Sequence, residues 1–315
     1  TMKQRQIIGI GETVLDVVFK NDQPQAALPG GSTFNALISL GRSVGKKFPE
    51  IPILMVTETG DDHIGDIVTK FMQENHISTT GVTRNPNTQT HISMAFLDDK
   101  NDALYEFYKD HANAKINIEK VKTVKFSKDD ILLFGSFFAI NPVLRDYTRL
   151  MFTKEKEAGA IIYYDINFRK SHIKDIPQVL ENVIENFELA DIVRGSAEDF
   201  GYLFGTNNPK EIYDKHVRAH CKNFICTNGG NPLSLFTPTL TESFEANSIK
   251  TVSTIGAGDN FNAGFIYGII EGNLKKKDIE NGNKETWAKL IASGQKFSSE
   301  VCQSIFNYIP LDFFK

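Results

Sequence analysis

Short apolar runs rich in β-branched residues recur along the chain, at 6–10, 53–56, 130–134, 160–164, 191–193 and 224–226. Between them lie stretches in which apolar residues return every three or four positions: 33–43, 64–74, 142–157, 177–189 and 209–220. The first kind of run predicts a strand and the second a helix. Their alternation predicts an α/β fold, a doubly wound, mostly parallel sheet flanked by helices on both faces. In such sheets ligands sit beyond the carboxyl ends of the strands, so the polar residues that follow each strand are the candidates for chemistry.

Two regions break the rhythm. Residues 13–19 are β-rich and carry a carboxylate, Asp16, among apolar neighbours. Residues 90–97 alternate His91, Ser93 and Ala95 against Ile92, Met94 and Phe96, a turn follows at Asp98-Asp99-Lys100-Asn101-Asp102, and 103–108 alternate again. Period and turn composition predict a hairpin. Together these strands predict a small sheet standing off the main body, as a lid, an interface or both. Near the end of the chain, 257–271 and 284–306 have helical spacing, with Phe261, Phe265, Ile266, Ile269 and Ile270 on one face of the first. The segment 272–284 between them reads as a connection.

Composition narrows the function classes. With 315 residues, 41% hydrophobic and 23% charged, the chain can bury a sizeable core. A net charge of −4 with scattered Lys and Arg argues against nucleic acid as a partner. Lys275-Lys276-Lys277, the longest basic run, reads as a solvated helix start. No stretch approaches about 18 uninterrupted apolar residues and no signal pattern opens the chain, so neither membrane nor secretion is expected. Cys221, Cys226 and Cys302 are odd in number and lack metal-site spacing, which predicts buried reduced thiols and a cytoplasmic location. The seven histidines are dispersed and read as structural or exposed.

The strongest chemical signal is Gly256-Ala257-Gly258-Asp259, opening a helix. Its glycines allow amides to turn the same way, and the helix adds its unpaired N–H groups and positive dipole end. That makes an anion site able to take a phosphoryl group, with Asp259 beside it to accept a proton from an attacking hydroxyl. A simple helix cap would look the same. Gly30-Gly31-Ser32-Thr33-Phe34-Asn35 is the second signal: paired glycines let a ligand approach the backbone, and the Asn35 amide suits a sugar hydroxyl. Alternatively it is an ordinary helix start capped by Ser32. Weaker signals are Gly60–Asp62–Gly65, Asp165–Asn167–Arg169, the carboxylates Glu198 and Asp199, and the turn after Thr227 containing Gly229. A dinucleotide fingerprint fails because Val14 occupies the third glycine position, and no Walker A loop is present.

Taken in order, the 30–35 and 256–259 motifs resemble the two signatures of the ribokinase-like carbohydrate kinases, the phosphofructokinase B superfamily. The intermediate motifs follow in the same order, and the resemblance spans about 7–306. It implies an ATP-dependent kinase that transfers the γ-phosphoryl to a primary hydroxyl of a sugar. In that family's pattern Asp259 falls on the general base, and Gly256, Ala257 and Gly258 on the anion hole. Asp16, Gly30, Gly31 and Asn35 fall on the sugar-binding positions, with Asn167 and Arg169 near substrate and phosphates. Thr227 and Gly229 fall on the ATP side, and Asp199, or else Glu198, on the acid that acts on Mg²⁺ through water. Ser253 stands where the family carries the aspartate beside a monovalent cation, which leaves only backbone carbonyls for K⁺.

The expected organisation is one domain over 1–315, with a lid from about 12–29 and 88–113. Glu12, Asp16 and the Gly195-Ser196-x-Glu198-Asp199 segment favour fructose, with ribose next. Only Lys20 is basic between residues 13 and 35, which favours a neutral acceptor. A nucleoside kinase of the same fold is the alternative, kept open by Phe96, Tyr105, Phe107 and Tyr108. A non-catalytic sugar-binding member is another, disfavoured because Asp259 and its glycines are both present. The lid sheet has a second face to cover, which predicts a homodimer through it.

Overall fold

The apolar run of residues 131–134 sets the rule for the main sheet. Ile131 and Leu133 pack into one core, Leu132 and Phe134 into another on the opposite face. Ile161 and Tyr163, against Ile162 and Tyr164, divide in the same way. A strand apolar at every position is buried on both sides, which calls for helices on both sides.

The computed structural model describes residues 4–314; the ends of the expected domain, 1–3 and 315, lie outside the described residues. The chain begins with β1 (Ile7–Ile10), β2 (Val14–Lys20), β3 (Gln23–Gly30), α1 (Ser32–Lys47), β4 (Ile53–Gly60), α2 (His63–Glu74) and β5 (Ser78–Asn85). The hairpin β6 (His91–Leu97) and β7 (Ala103–Tyr108) follows, then α3 (Ile118–Lys122), β8 (Ile131–Gly135), α4 (Arg145–Ala158) and β9 (Ile161–Asp165). Next come α5 (Ile176–Leu189), β10 (Ile192–Ser196), α6 (Ala197–Phe204), α7 (Pro209–Ile212) and β11 (Asn223–Asn228). The chain closes with β12 (Asn231–Phe236), β13 (Thr241–Phe244), α8 (Ala257–Glu271), α9 (Lys276–Glu280) and α10 (Lys284–Cys302).

Nine strands form one sheet in the order β13-β12-β11-β10-β9-β8-β1-β4-β5, and four form a second, β3-β2-β6-β7. From β5 to β11 every pairing of the large sheet is parallel; β12 and β13 are antiparallel additions at one edge. Strand order runs one way from β1 through β4 and the other way from β8, so β1 and β8 flank a switch point. A crevice opens at their carboxyl ends. One face of the sheet carries α1, α8 and α10, with Phe34, Phe265, Trp287 and Phe297 in its core. The other carries α4, α5 and α6 over Phe152, Phe187, Phe200 and Phe224. The expected α/β class therefore holds.

Several expectations need correction. The helix expected over 209–220 stops at Ile212 and continues as a wider π turn, Tyr213–Val217. Lys276 is not a solvated lysine, because its Nζ pairs with Asp191 and donates to the Ala160 carbonyl. Helix α10 ends at Cys302 rather than 306. Strand β3, with Pro24 and Pro29, lacks any alternation; it is tolerated because it lies at a sheet edge. The three cysteines are free and buried, as expected. Among the described residues, no helix is long and apolar enough to cross a membrane.

Two glycines in helices give opposite predictions. A Cβ on Gly264 of α8 would overlap the Ser293 carbonyl of α10, whereas one on Gly201 of α6 meets nothing within 4 Å. Urea unfolding should show Gly264→Ala losing about 1–3 kcal/mol. Gly201→Ala should gain about 0.5–1 kcal/mol.

Candidate active site

The crevice at the switch point is a cleft of about 820 Å³. Its floor is the ends of β1, β8, β9 and β10; one wall is the amino ends of α1 and α8; the small sheet covers it with Asp16, Ser93, Tyr105 and Phe107.

Gly256 caps α8 in the left-handed region (φ 76°), which favours glycine, and this sets Ala257, Gly258 and Asp259 as the first three helical residues. Asp259 is 8% exposed. Its Oδ1 accepts from Ser32 Oγ (2.7 Å) and its Oδ2 from Asn35 Nδ2 (2.9 Å). Burial pushes its carboxyl above the usual value, against these two hydrogen bonds. Ser32 is thus no cap. Gly31, at φ 125°, is the residue before α1, and the Ser32 hydroxyl is spent on Asp259. Asn35 is 4% exposed, and its Oδ1 has no hydrogen-bond partner among the described residues. A buried acceptor beside the cleft is costly unless a donor arrives.

Asp16 lies across the cleft on β2. A Cβ on Gly30 would overlap its carboxylate, so Gly30 backs Asp16 rather than lining the cleft. Burial raises Asp16 to about 6, although Lys109 and hydrogen bonds from Ser93 and Asn307 oppose it. Glu12, after β1, goes the other way. Burial pushes it up, but the Lys109 ammonium at 2.9 Å outweighs that and holds it at about 2. Next to this pair the rings of His91, His111 and His172 converge, with centroids 5.5 and 5.8 Å apart. They are therefore not dispersed in space. Burial depresses His111 to about 4, so it is neutral near pH 7.

Asn167 lines the cleft floor and donates to Ser136 Oγ (2.7 Å). Arg169 opens into the cleft. Enclosure works against its charge, but Asp199, the Tyr105 hydroxyl and Asp259 hold its pKa above the ordinary value. Asp199 and Ser196 form a capping box for α6: Ser196 Oγ accepts from the Asp199 amide and Asp199 Oδ2 from the Ser196 amide. Burial raises Asp199 to about 6. Glu198 accepts from the Tyr202 hydroxyl (2.6 Å). Thr227 and Gly229, at the end of β11, lie outside the cleft walls, and Thr227 Oγ1 accepts from Arg194 (2.6 Å). Ser253 is buried and its Oγ accepts from the Ile255 amide (3.2 Å), so this position offers no carboxylate to K⁺. Among the described residues no group of three or more His, Cys, Asp or Glu is arranged to hold a metal.

Four residues escape the motif reading: Ser32 as a partner of Asp259, Lys109, Arg194 and Asn307. Lys109 follows the hairpin by one residue, which is the only sequence signal for it. Asn307, in the tail after α10, donates to Asp16 Oδ2 (2.8 Å) and has none.

The sequence pattern of the pfkB family carbohydrate kinases matches residues 5–310. The chain belongs to that family. A fructokinase of Rhizobium leguminosarum bv. trifolii is 27% identical over 280 residues, 86% of this chain and 82% of that protein. A Vibrio alginolyticus fructokinase is 22% identical over 262 residues, 83% of each. Among solved structures, a Vibrio cholerae fructokinase double mutant with fructose, ADP and potassium superposes with a TM-score of 0.82. It is 18% identical, over 97% of this chain and 95% of that one. Salmonella enterica aminoimidazole riboside kinase, complexed with aminoimidazole riboside and an ATP analogue, gives 0.79 at 18% identity, covering 98% and 96%. The fold is accordingly ribokinase-like, and the enzyme a carbohydrate kinase.

The raised pKa of Asp16 makes a signed prediction for this pfkB-family kinase. Its native carboxyl binds a proton more tightly than the unfolded one, so stability falls as pH rises from the usual 3.8 through about 6. Asp16→Asn removes the charge. It should raise the melting temperature of the ligand-free protein at pH 7.5, and the gain should vanish by about pH 4. Equal destabilisation at both pH values would contradict the assignment.

Proposed function

We propose that this kinase transfers the γ-phosphoryl of ATP to a primary hydroxyl of a neutral sugar, most simply fructose, with ribose second. One observation carries the reading. Asp259 is buried at the amino end of α8, hydrogen-bonded by Ser32 and Asn35, directly after the amides of Gly256, Ala257 and Gly258. A carboxylate held there is a general base next to an anion hole.

Asp259 takes the hydroxyl proton as the sugar oxygen bonds to the γ-phosphorus. The bond from phosphorus to the β,γ-bridging oxygen breaks and ADP leaves with its electron pair. The amides of Gly256 and Gly258 hold the phosphoryl oxygens while charge spreads over them, and the Ala257 amide, which donates to the Thr254 carbonyl (3.2 Å), holds the turn between them. Asn35 Oδ1 and the Asp16 carboxylate accept sugar hydroxyls, Gly31 lets the sugar approach the backbone, and Asn167 and Arg169 bridge sugar and phosphates. Thr227 and Gly229 serve the nucleotide side. Mg²⁺ fits Asp199, a carboxylate on the cleft wall that commits one oxygen to its capping box, with Glu198 as the neighbouring acid. The ion would neutralise charge on the ATP phosphates. K⁺ fits less well, since Ser253 supplies no charge.

The small sheet acts as the lid, inserted within one domain, and its closure excludes water that would otherwise compete as acceptor. The Glu12–Lys109 pair is neutral overall, which suits a neutral acceptor. The Rhizobium and Vibrio alginolyticus fructokinases support the choice of hexose. A second reading, a nucleoside acceptor, is favoured by Tyr105 and Phe107. Their rings are parallel to 1° and 5.6 Å apart, and both line the cleft. The lid's other face carries Leu15, Val17, Ile92, Met94 and Phe96, with Leu104 69% and Tyr108 57% exposed. A second copy, bearing the same apolar face, covers it in an isologous dimer. The free buried cysteines suit the reducing cytoplasm.

ADP release, measured across hexoses, pentoses and nucleosides with and without K⁺, tests the reading. Fructose should give the highest kcat/KM, and Asp259→Asn should lower kcat by about 10²-fold or more. Phosphorylation of nucleosides alone would favour the second reading. Sedimentation should show a dimer that Leu104→Glu dissociates; a monomer at every concentration would remove the interface.

A further inference from the structure

Arg194, on β10, is a buried cation that neither motif contains and the proposed chemistry does not use. It is 6% exposed, yet it reaches the cleft. Its Nη1 donates to Asp165 Oδ2 (2.8 Å) and its Nη2 to Thr227 Oγ1 (2.6 Å). Behind it, Asp165 Oδ2 also accepts from Asn262 Nδ2 (2.6 Å), and Asn262 Oδ1 accepts from the Tyr163 hydroxyl (2.8 Å). The guanidinium turns its Nη edge toward Gly258 of the phosphoryl loop: a Cβ placed on Gly258 would sit 2.7 Å from Nη1 and 2.9 Å from Nη2. Its Nε has no hydrogen-bond partner among the described residues.

We propose that Arg194 is a positioning residue that charges the phosphoryl loop from beneath and fixes the direction of the Thr227 hydroxyl. Two arguments lead there. A guanidinium held by Asp165 and pressed under the Gly258 backbone adds fixed positive charge where the amides meet a developing anion, and in a low-dielectric setting this charge is poorly screened. Burial opposes the charge, but Asp165, Tyr163 and Asp199 outweigh it, so the group stays protonated at any working pH. Secondly, Thr227 Oγ1 accepts from Nη2, so its own proton is left to donate elsewhere. With one lone pair engaged by Arg194, the hydroxyl keeps its proton free to donate toward a nucleotide phosphate oxygen. One arginine thus links the anion loop on α8 with the nucleotide side on β11.

This inference rests on the reading of Asp259 and its loop given above, so the two are tested together. Arg194→Met, Arg194→Lys and Asp259→Asn are assayed for kcat and for KM of sugar and ATP, with thermal melting alongside. Arg194→Met should lower kcat about tenfold to a hundredfold and leave the sugar KM within about twofold. Arg194→Lys, which keeps the charge, should recover part of the lost kcat. If Arg194→Met fails to fold because Asp165 is left unpaired, Asp165→Asn/Arg194→Met replaces it and should show the same split. Wild-type kcat in a folded charge-free variant, with Asp259→Asn inactive, overturns this inference and spares the reading of the site. So does a kcat loss matched by the sugar KM that Arg194→Lys does not relieve. Turnover retained by Asp259→Asn overturns both.

Discussion

Everything in the cleft depends on two helix amino ends being held side by side, so that Asp259 at the start of α8 meets Ser32 and Asn35 at the start of α1. Both ends carry the positive pole of a helix, so bringing them together is unfavourable unless something negative lies between. The Asp259 carboxylate is that charge, and it accepts a hydrogen bond from each side of the junction. Asn260, fully buried one residue later, ties the arrangement down. It accepts from Ser39 of α1 (2.5 Å) and donates to the carbonyls of Gly256 (2.8 Å) and Asn307 (2.7 Å). Core packing of α1, α8 and α10 over one face of the sheet does the rest.

Around that junction, residues of one chemical type are driven to different protonation behaviour by their surroundings. Glu12 is held far down by Lys109 despite burial, while Asp16 and Asp199 are raised by burial. Asp259 is raised too, and what opposes the burial is chiefly two neutral donors, Asn35 and Ser32, with the Arg169 charge a smaller influence. A salt bridge at Asp259 would have made it a poor proton acceptor. The nearer pairings of the cleft cations lie elsewhere, Lys109 on Glu12 and Arg194 on Asp165, and Arg169 acts on Asp259 only as a more distant charge.

Much of this was legible in the sequence because it depends on local patterns. Continuous apolar runs required a sheet buried on both faces, and alternation with a five-residue acidic turn required β6 and β7. The glycines of 30–31 and 256–258 marked close approach and helix starts. What escaped depends on contacts between distant segments. Nothing near Ser32 says that its hydroxyl will meet a residue 227 positions later rather than cap its own helix. Arg194 sits inside an apolar strand and finds Asp165 only because β9 and β10 pair in parallel register. Asn307 reaches Asp16 from an irregular tail, and His91, His111 and His172 meet only in the folded cleft. Strands β12 and β13 escape the apolar pattern because they are antiparallel additions at one side of the sheet and half polar.

The central claim is that an ionised Asp259, caged by Ser32 and Asn35, is the base. The pH dependence of kcat/KM for the wild type and for Ser32→Ala tests it most directly, because its acid limb reports the free enzyme's essential base. The wild type should show an acid limb whose pKa lies above the ordinary aspartate value of 3.8. Ser32 donates to the charged form, so its removal should move that limb to higher pH. A limb that stays in place in Ser32→Ala, or a profile with no acid limb at all, would contradict the account.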